Sequence, residues 1–239
     1  MINKLDKKKF LEKGFCVIKI GNKKKLKKIR QKWINLINNI SHETYGLKIK
    51  NDKDLIKLEK DKKKRDVFVA VFDLLHLDPD VFELASSQKI LKKMKTFGLK
   101  FPHHGTRPLT RVDFPKDQKY SFFDVHQDFP YNKHSKNSIV VWIPLQNTSD
   151  KNGCLQVCPG THIKKRIYPT KKRSNLIKNT KKFNFLQTNV KLGEALIFSE
   201  FLVHRSGKNI SNKIRFSIQF RFTDLLSKEY MMRKYPVIS

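Results

Sequence analysis

A mainly β fold with added helices is what this sequence predicts: a double-stranded β-helix, or cupin-like jelly roll, with an N-terminal helical lead packed on one of its sheets. Two observations predict it. Up to Gly98 the apolar residues recur at helical spacing, and after it they alternate at period two. Beyond Gly98, roughly eight short alternating runs are separated by turn residues such as Asn152-Gly153 and Pro159-Gly160. No internal repeat and no Gly/Ser-rich or Pro-rich linker divides the chain. The 239 residues therefore fit one domain over 1–239, with 1–98 as the helical lead and 99–239 as the roll.

Taken in order, Gly14 to Ile20 reads as a short strand, punctuated by Gly21-Asn22. Lys23 to Ile40 has helical spacing, with Leu26, Ile29, Trp33, Leu36, Ile37 and Ile40 on one face and Lys and Arg on the other. Ser41 to Arg65 is polar and charged and receives no assignment. Asp66 to Leu77 is apolar enough for a buried helix. Asp78-Pro79-Asp80 is a helix start, and the helix that follows runs to about Phe97 and closes at Gly98. Strands are predicted at Leu99 to Phe101, Leu109 to Phe114, Tyr120 to Asp128, Ser138 to Leu145, Cys154 to Cys158, Phe185 to Lys191, Ala195 to Phe201 and Ile214 to Thr223. In the last of these, Ile214, Phe216, Ile218, Phe220 and Phe222 form an apolar face. Arg215, Ser217, Gln219 and Arg221 form the opposite, polar face, which suits the cavity of the roll. In Ser138 to Leu145, one face is wholly apolar, and the face carrying Val140 and Trp142 suits a cavity wall.

Lys and Arg number 52 against 21 Asp and Glu, a formal charge of +31. Such a balance suits either a polyanion or nucleic-acid binder or a Lys-rich composition spread over solvated faces. The second reading is favoured. The basic residues recur in short scattered runs such as Lys23-Lys24-Lys25 and Lys62-Lys63-Lys64-Arg65, and Arg, the residue of bidentate phosphate and base contacts, is scarce beside Lys. Three cysteines, Cys16, Cys154 and Cys158, are too few and too odd in number for a disulfide framework and suggest a reducing compartment. Neither a signal peptide nor a transmembrane run is apparent, so a cytoplasmic, soluble protein is expected. The sequence does not reveal an oligomeric state.

The chemistry gathers around Phe122-Phe123-Asp124-Val125-His126-Gln127-Asp128-Phe129. Read as a strand, this run points His126 and Asp128 to one side. His204 lies downstream, and Arg215 follows eleven residues later. Two histidines, a carboxylate and an arginine in this order suggest a 2-His-1-carboxylate iron site with the arginine holding an acidic co-substrate.

Further segments carry a family resemblance: Val141-Trp142-Ile143-Pro144-Leu145, Asn152-Gly153-Cys154-Leu155-Gln156-Val157-Cys158-Pro159-Gly160-Thr161-His162, His204-Arg205-Ser206-Gly207-Lys208-Asn209 and Arg215-Phe216-Ser217. With His126-Gln127-Asp128, they make the stretch from about Arg111 to Asp224 resemble the phytanoyl-CoA dioxygenase family of iron(II)/2-oxoglutarate oxygenases. The resemblance implies Fe(II) held by His126, Asp128 and His204, and 2-oxoglutarate held at its distal carboxylate by Arg215, with Ser217 as helper and Trp142 lining its pocket. Oxygen consumption, release of succinate and CO2, and hydroxylation of an unactivated C–H bond are implied in turn. Halogenases of similar fold carry a small residue at the carboxylate position, so Asp128 favours a hydroxylase. Arg111, Phe129 and Tyr131 flank these segments as candidate contacts for a small or carrier-linked metabolite. His162 is read as structural, and His42, His76, His103, His104 and His134 as surface or packing residues. Two alternatives stay open: a binding protein of this fold that has lost turnover, and an oxygenase steered to a polyanionic substrate by its basic surface.

Overall fold

The computed structural model describes residues 4–61, 63–115, 123–172 and 174–235, and residues 65–68 by their backbone alone. Helix α1 (Lys4–Lys13) leads into strand β1 (Phe15–Lys19) through Gly14, whose φ of 84° is open to glycine without strain. Helix α2 (Lys23–Tyr45) buries Leu26, Ile29, Trp33 and Ile37, as its spacing predicts. It continues past Ile40 because Ser41 prolongs the buried stripe, and it stops where Gly46 adopts a left-handed cap at φ 67°. Leu36, counted on the apolar face, is instead 42% exposed. The unassigned polar stretch holds α3 (Asp52–Lys60), started by Asn51, whose side chain accepts the N–H groups of Lys53 and Asp54 at 2.9 and 3.3 Å.

Helix α4 (Arg65–Leu74), prolonged by a 3-10 turn (Leu75–Leu77), forms where a buried helix was predicted, but Val69 and Leu74 are 41% and 62% exposed, so only part of it is buried. The helix expected from Pro79 to about Phe97 is two helices, α5 (Pro79–Ala85) and α6 (Gln88–Thr96). They break at Ser86-Ser87, with Ser87 extended at ψ 133°; serine competes poorly for helix interiors. Asp78 starts α5 and does more. Its carboxylate accepts Asp80 N–H at 2.9 Å, the buried Trp33 Nε1–H at 2.7 Å and Lys32 Nζ at 2.7 Å. Asp78→Ala removes a cap and orphans an indole donor, so the expected loss is about 2–4 kcal/mol, read as a lower urea midpoint at unchanged m.

The predicted strand at Leu99–Phe101 does not form. The Asp224 carboxylate takes the N–H groups of Lys100 and Phe101, each at 2.9 Å, and pairing starts one step later in β2 (Pro102–His104). Then come β3 (Leu109–Asp113), α7 (Phe129–Asn132), β4 (Ile139–Pro144), β5 (Gln156–Val157), β6 (Leu186–Gln187), β7 (Glu194–Ser199), β8 (His204–Arg205), β9 (Arg215–Asp224) and α8 (Lys228–Met232). The larger sheet has the order β1-β7-β4-β9-β2, with β3 also on β9; the smaller has the order β6-β5-β8. Among the described residues, the strands of both sheets pair antiparallel.

The two faces of β4 show how the layers meet. Ile139, Val141 and Ile143 join β9 residues Phe216, Ile218, Phe220 and Phe222 and the helices α2 to α6 in one core. Val140 and Trp142 pack with Leu155, Val157, Leu196, Phe198 and Leu202 in a second core between the sheets. A helical layer covers one sheet, and a smaller sheet closes over its other face, as the alternation requires. Among the described residues, no helix is long and apolar enough to cross a membrane. Cys16, Cys154 and Cys158 are buried and unpaired, and burial pushes the Cys16 thiol up to about 12.

Candidate active site

The run containing His126 is not the predicted strand. Tyr120 to Phe122 lie outside the described residues, and from Phe123 onward only His126 makes β-type bridges. Asp128 has helical φ/ψ (−75°, −30°) and opens α7. His126 and Asp128 therefore converge through a bridge followed by a turn, not through the two-residue period of a strand. Besides Leu176, His126 bridges to His204 itself. The two residues exchange N–H···O=C bonds of 3.0 Å in each direction, which sets their imidazole centroids 4.1 Å apart.

Each imidazole is oriented by a backbone carbonyl. His126 Nδ1 lies 2.7 Å from Asp124 O, and His204 Nδ1 lies 2.9 Å from Leu202 O. A carbonyl only accepts, so both Nδ1 atoms carry the proton and both Nε2 lone pairs are left for an ion. Asp128 Oδ1 sits 3.7 Å from His126 Nε2, and ligand atoms of His126, Asp128 and His204 all lie within 4.8 Å of one another. All three side chains are buried. Burial, reinforced by His204, holds His126 well below the ordinary imidazole range, and burial lowers His204 as well. Both rings are thus neutral and ready to coordinate at neutral pH. Burial alone would raise Asp128, but the surrounding positive charge, that of Arg221 first, outweighs it and brings it to about 2. Two neutral imidazoles and one carboxylate form a donor set that fits a divalent iron.

Neighbouring side chains hold this group in place. Gln127 Nε2 donates to Phe201 O at 2.6 Å and Arg166 O at 2.9 Å. The buried Glu200 carboxylate accepts from Asn132 Nδ2, His134 Nδ1 and Ser138 Oγ at 3.0, 2.8 and 2.8 Å. This ties the segment after Asp128 to the turn before His204. His134 is therefore a packing residue. His162, also read as structural, bonds Leu11 O through Nε2 at 3.0 Å and is outside the ligand group.

The group opens onto a cavity of about 400 Å³. Arg111, Tyr131, Trp142 and Arg215, all singled out from the sequence, line it. Phe129 does not. It stacks on Phe201, with centroids 4.2 Å apart, because α7 turns that side chain inward. Ser217 is not among the lining residues either, although its buried hydroxyl has no partner among the described residues. Arg215 is 1% exposed, with its guanidinium carbon 5.5 Å over the Trp142 ring. Its Nε and Nη2 donate to Asp113 Oδ2 at 3.0 and 2.6 Å, and its Nη1 has no acceptor among the described residues. A buried cation with a spare N–H beside a cavity fits an anionic group of a small molecule.

Ser206 and Asp113 received no site role from the sequence; Gln219 and Arg221 were placed on the strand face toward the cavity, with Arg221 as an alternative carboxylate anchor. Ser206, Gln219 and Arg221 line the cavity. Gln219 Nε2 and Arg221 Nη2 donate to the two oxygens of Asp128 at 3.3 and 3.2 Å. The signal for both was the polar face of the last strand. Asp113 reaches Arg215 because β3 lies opposite β9 in register, Asp113 beside Arg215 and Arg111 beside Ser217.

Known proteins resemble this chain at two levels, in sequence and in fold. The Phytanoyl-CoA dioxygenase (PhyH) family profile matches residues 10–217. The chain is 26% identical to "Phytanoyl-CoA dioxygenase, peroxisomal" of Bos taurus over 92% of its own length and 68% of that protein's. With the Homo sapiens protein of the same description the identity is 27%, over 61% of this chain and 46% of that protein. In fold it is similar to the epimerase SnoN, solved in complex with Fe3+, alpha ketoglutarate and nogalamycin RO. The TM-score is 0.66 over 92% of this chain and 82% of that one, at 12% identity.

Proposed function

Because the chain belongs to the phytanoyl-CoA dioxygenase family, we propose that it is an Fe(II)/2-oxoglutarate-dependent dioxygenase that hydroxylates an unactivated C–H bond of a small or carrier-linked metabolite. The observation that carries this reading is the meeting of His126, Asp128 and His204 at a cavity whose wall holds Arg215 with an unsatisfied N–H. In the overall balance, 2-oxoglutarate, dioxygen and R–H give succinate, CO2 and R–OH. Iron(II), when bound, supplies the activation of dioxygen that couples decarboxylation to C–H oxidation.

The protein's own groups have distinct tasks. His126 and His204 offer Nε2 lone pairs, held to that tautomer by Asp124 O and Leu202 O. Asp128 completes the donor set, ionised in advance by Arg221. Its presence supports hydroxylation over halogenation. Arg215 receives the distal carboxylate of 2-oxoglutarate on Nη1, with the Ser217 hydroxyl as second donor and Trp142 as the wall of that pocket. Arg111 and Tyr131 face the primary substrate, and Phe129 supports the site from behind through Phe201. Burial of the ligand group keeps bulk water from it.

Anaerobic titration of the metal-free protein with Fe(II) and then 2-oxoglutarate tests the reading. The expected result is a weak visible charge-transfer band of the chelate, absent in His126→Ala. Folded protein that gives no band would refute the active oxygenase and favour a binding protein of the same fold.

A further inference from the structure

We propose that Arg221 anchors the primary substrate, and that this substrate carries a carboxylate close to the carbon that is oxidised. The proposal rests on the oxygenase reading above and extends it to substrate class.

The polar face of β9 presents Arg215, Ser217, Gln219 and Arg221 in turn. It carries a buried guanidinium at each end, and each has a donor to spare. Arg215 Nη1 and Arg221 Nε are both buried without an acceptor among the described residues. The two arginines are six positions apart, about 20 Å along an extended strand, so they serve different groups. Arg215 lies at the end of the strand that takes the co-substrate's distal carboxylate. Arg221 lies at the end that holds Asp128, with Nη2 3.2 Å from Oδ1. The orphan donor of Arg221 thus stands beside the metal ligands, where the carbon to be oxidised must come.

Charge points the same way. Without a metal, Arg221 and Asp128 neutralise one another. A divalent ion bound by Asp128 draws on the same carboxylate, and the neutral His126 and His204 add no negative charge. The positive charge of Arg221 is then available to a second anion. Its side chain is 10% exposed, so that charge is little screened by water. Its position is fixed as well, because Gly105 N–H donates to Arg221 O at 2.9 Å and Val140 pairs with it across β4. A guanidinium favours a carboxylate over a neutral amide, since charge-assisted hydrogen bonds are about twice as strong as neutral ones. The remainder of the substrate would lie along Thr110, Arg111 and Tyr131 on the cavity wall.

The experiment uses the anaerobic protein loaded with Fe(II) and saturating 2-oxoglutarate. Binding of butyrate, hexanoate and octanoate is compared with that of their primary amides, by calorimetry and by the shift of the chelate band. The expected result is binding of at least one carboxylate about tenfold or more tighter than its amide, without displacement of 2-oxoglutarate. In Arg221→Leu the preference disappears, while in Arg221→Lys, which keeps the charge, part of it survives. Equal binding of acid and amide, no binding of either, or binding only by displacing 2-oxoglutarate overturns the proposal with no variant needed. So does an Arg221→Leu protein that keeps the preference and loses 2-oxoglutarate affinity instead, which would assign Arg221 to the co-substrate. If the wild-type protein forms no Fe(II)–2-oxoglutarate complex, the oxygenase reading fails and takes this one with it. If the complex forms without a carboxylate preference, this inference alone fails.

Discussion

Asp128→Ala is expected to abolish turnover and to reduce Fe(II) affinity by more than the roughly 10–100-fold that loss of a ligand's outer partner costs. The substitution removes one of three donors from a group whose ligand atoms lie within 4.8 Å of one another. It also leaves Arg221 buried beside an apolar methyl group and deprives Gln219 Nε2 of the Asp128 oxygen it donates to. Breaking a buried ion pair from one side typically costs about 3–5 kcal/mol, so a lower melting temperature is expected alongside the loss of metal. The two effects separate in a double variant. Asp128→Ala with Arg221→Leu removes the stranded charge and should recover most of the stability, yet it should bind Fe(II) no better than Asp128→Ala alone. Metal affinity follows from anaerobic titration and stability from thermal unfolding of the metal-free proteins. Hydroxylation retained by Asp128→Ala would remove Asp128 from the ligand set.

What the sequence made legible, and what it concealed, follows from how far each interaction reaches along the chain. Helix α2 and strand β9 were readable because their periodicity is local: Leu26, Ile29, Trp33 and Ile37 are buried, as are Phe216, Ile218, Phe220 and Phe222. The three candidate ligands were readable as residue types in a recognisable order. Their local structure was not, because His126 is held by isolated bridges and Asp128 by a turn, and only His204 lies in a strand. Phe129 was misplaced for the same reason. Counted along a strand it would flank the site, but after the turn at Asp128 it packs on Phe201. The break between α5 and α6 turns on two serines that a spacing argument passes over. Least legible were Asp113 with Arg215 and Asp128 with Arg221. Asp113 meets Arg215 through the antiparallel register of β3 and β9, and Asp128 meets Arg221 through the turn into α7; each pair joins segments about a hundred residues apart, which no local pattern encodes.

The pairing of Asp113 with Arg215 shapes the other large expected effect. Arg215→Ala is expected to raise the 2-oxoglutarate concentration needed for half-saturation by about 10–100-fold, the loss of one or two charge-assisted hydrogen bonds at about 1.5–3 kcal/mol. Arg215 is held by two N–H bonds to Asp113 Oδ2, so its third edge is aimed before any ligand arrives and little orientational entropy remains to be lost on binding. Lysine cannot reproduce this. A single ammonium can satisfy Asp113 or meet the co-substrate as a point charge, but it lacks the fork that does both. Arg215→Lys is therefore expected between wild type and alanine. Fe(II) affinity measured before 2-oxoglutarate is added should change little in either variant, since Arg215 is not in the ligand group. Alanine also strands the Asp113 carboxylate, which is 3% exposed and whose remaining cationic neighbour, Arg111 Nη2, is 3.9 Å from Oδ1. Some loss of stability will accompany the loss of affinity, and Asp113→Asn combined with Arg215→Ala should relieve it without restoring 2-oxoglutarate binding. An unchanged 2-oxoglutarate requirement in Arg215→Ala would move the anchor to another cavity cation. Arg111, beside Ser217 in the β3–β9 register, is the next to test.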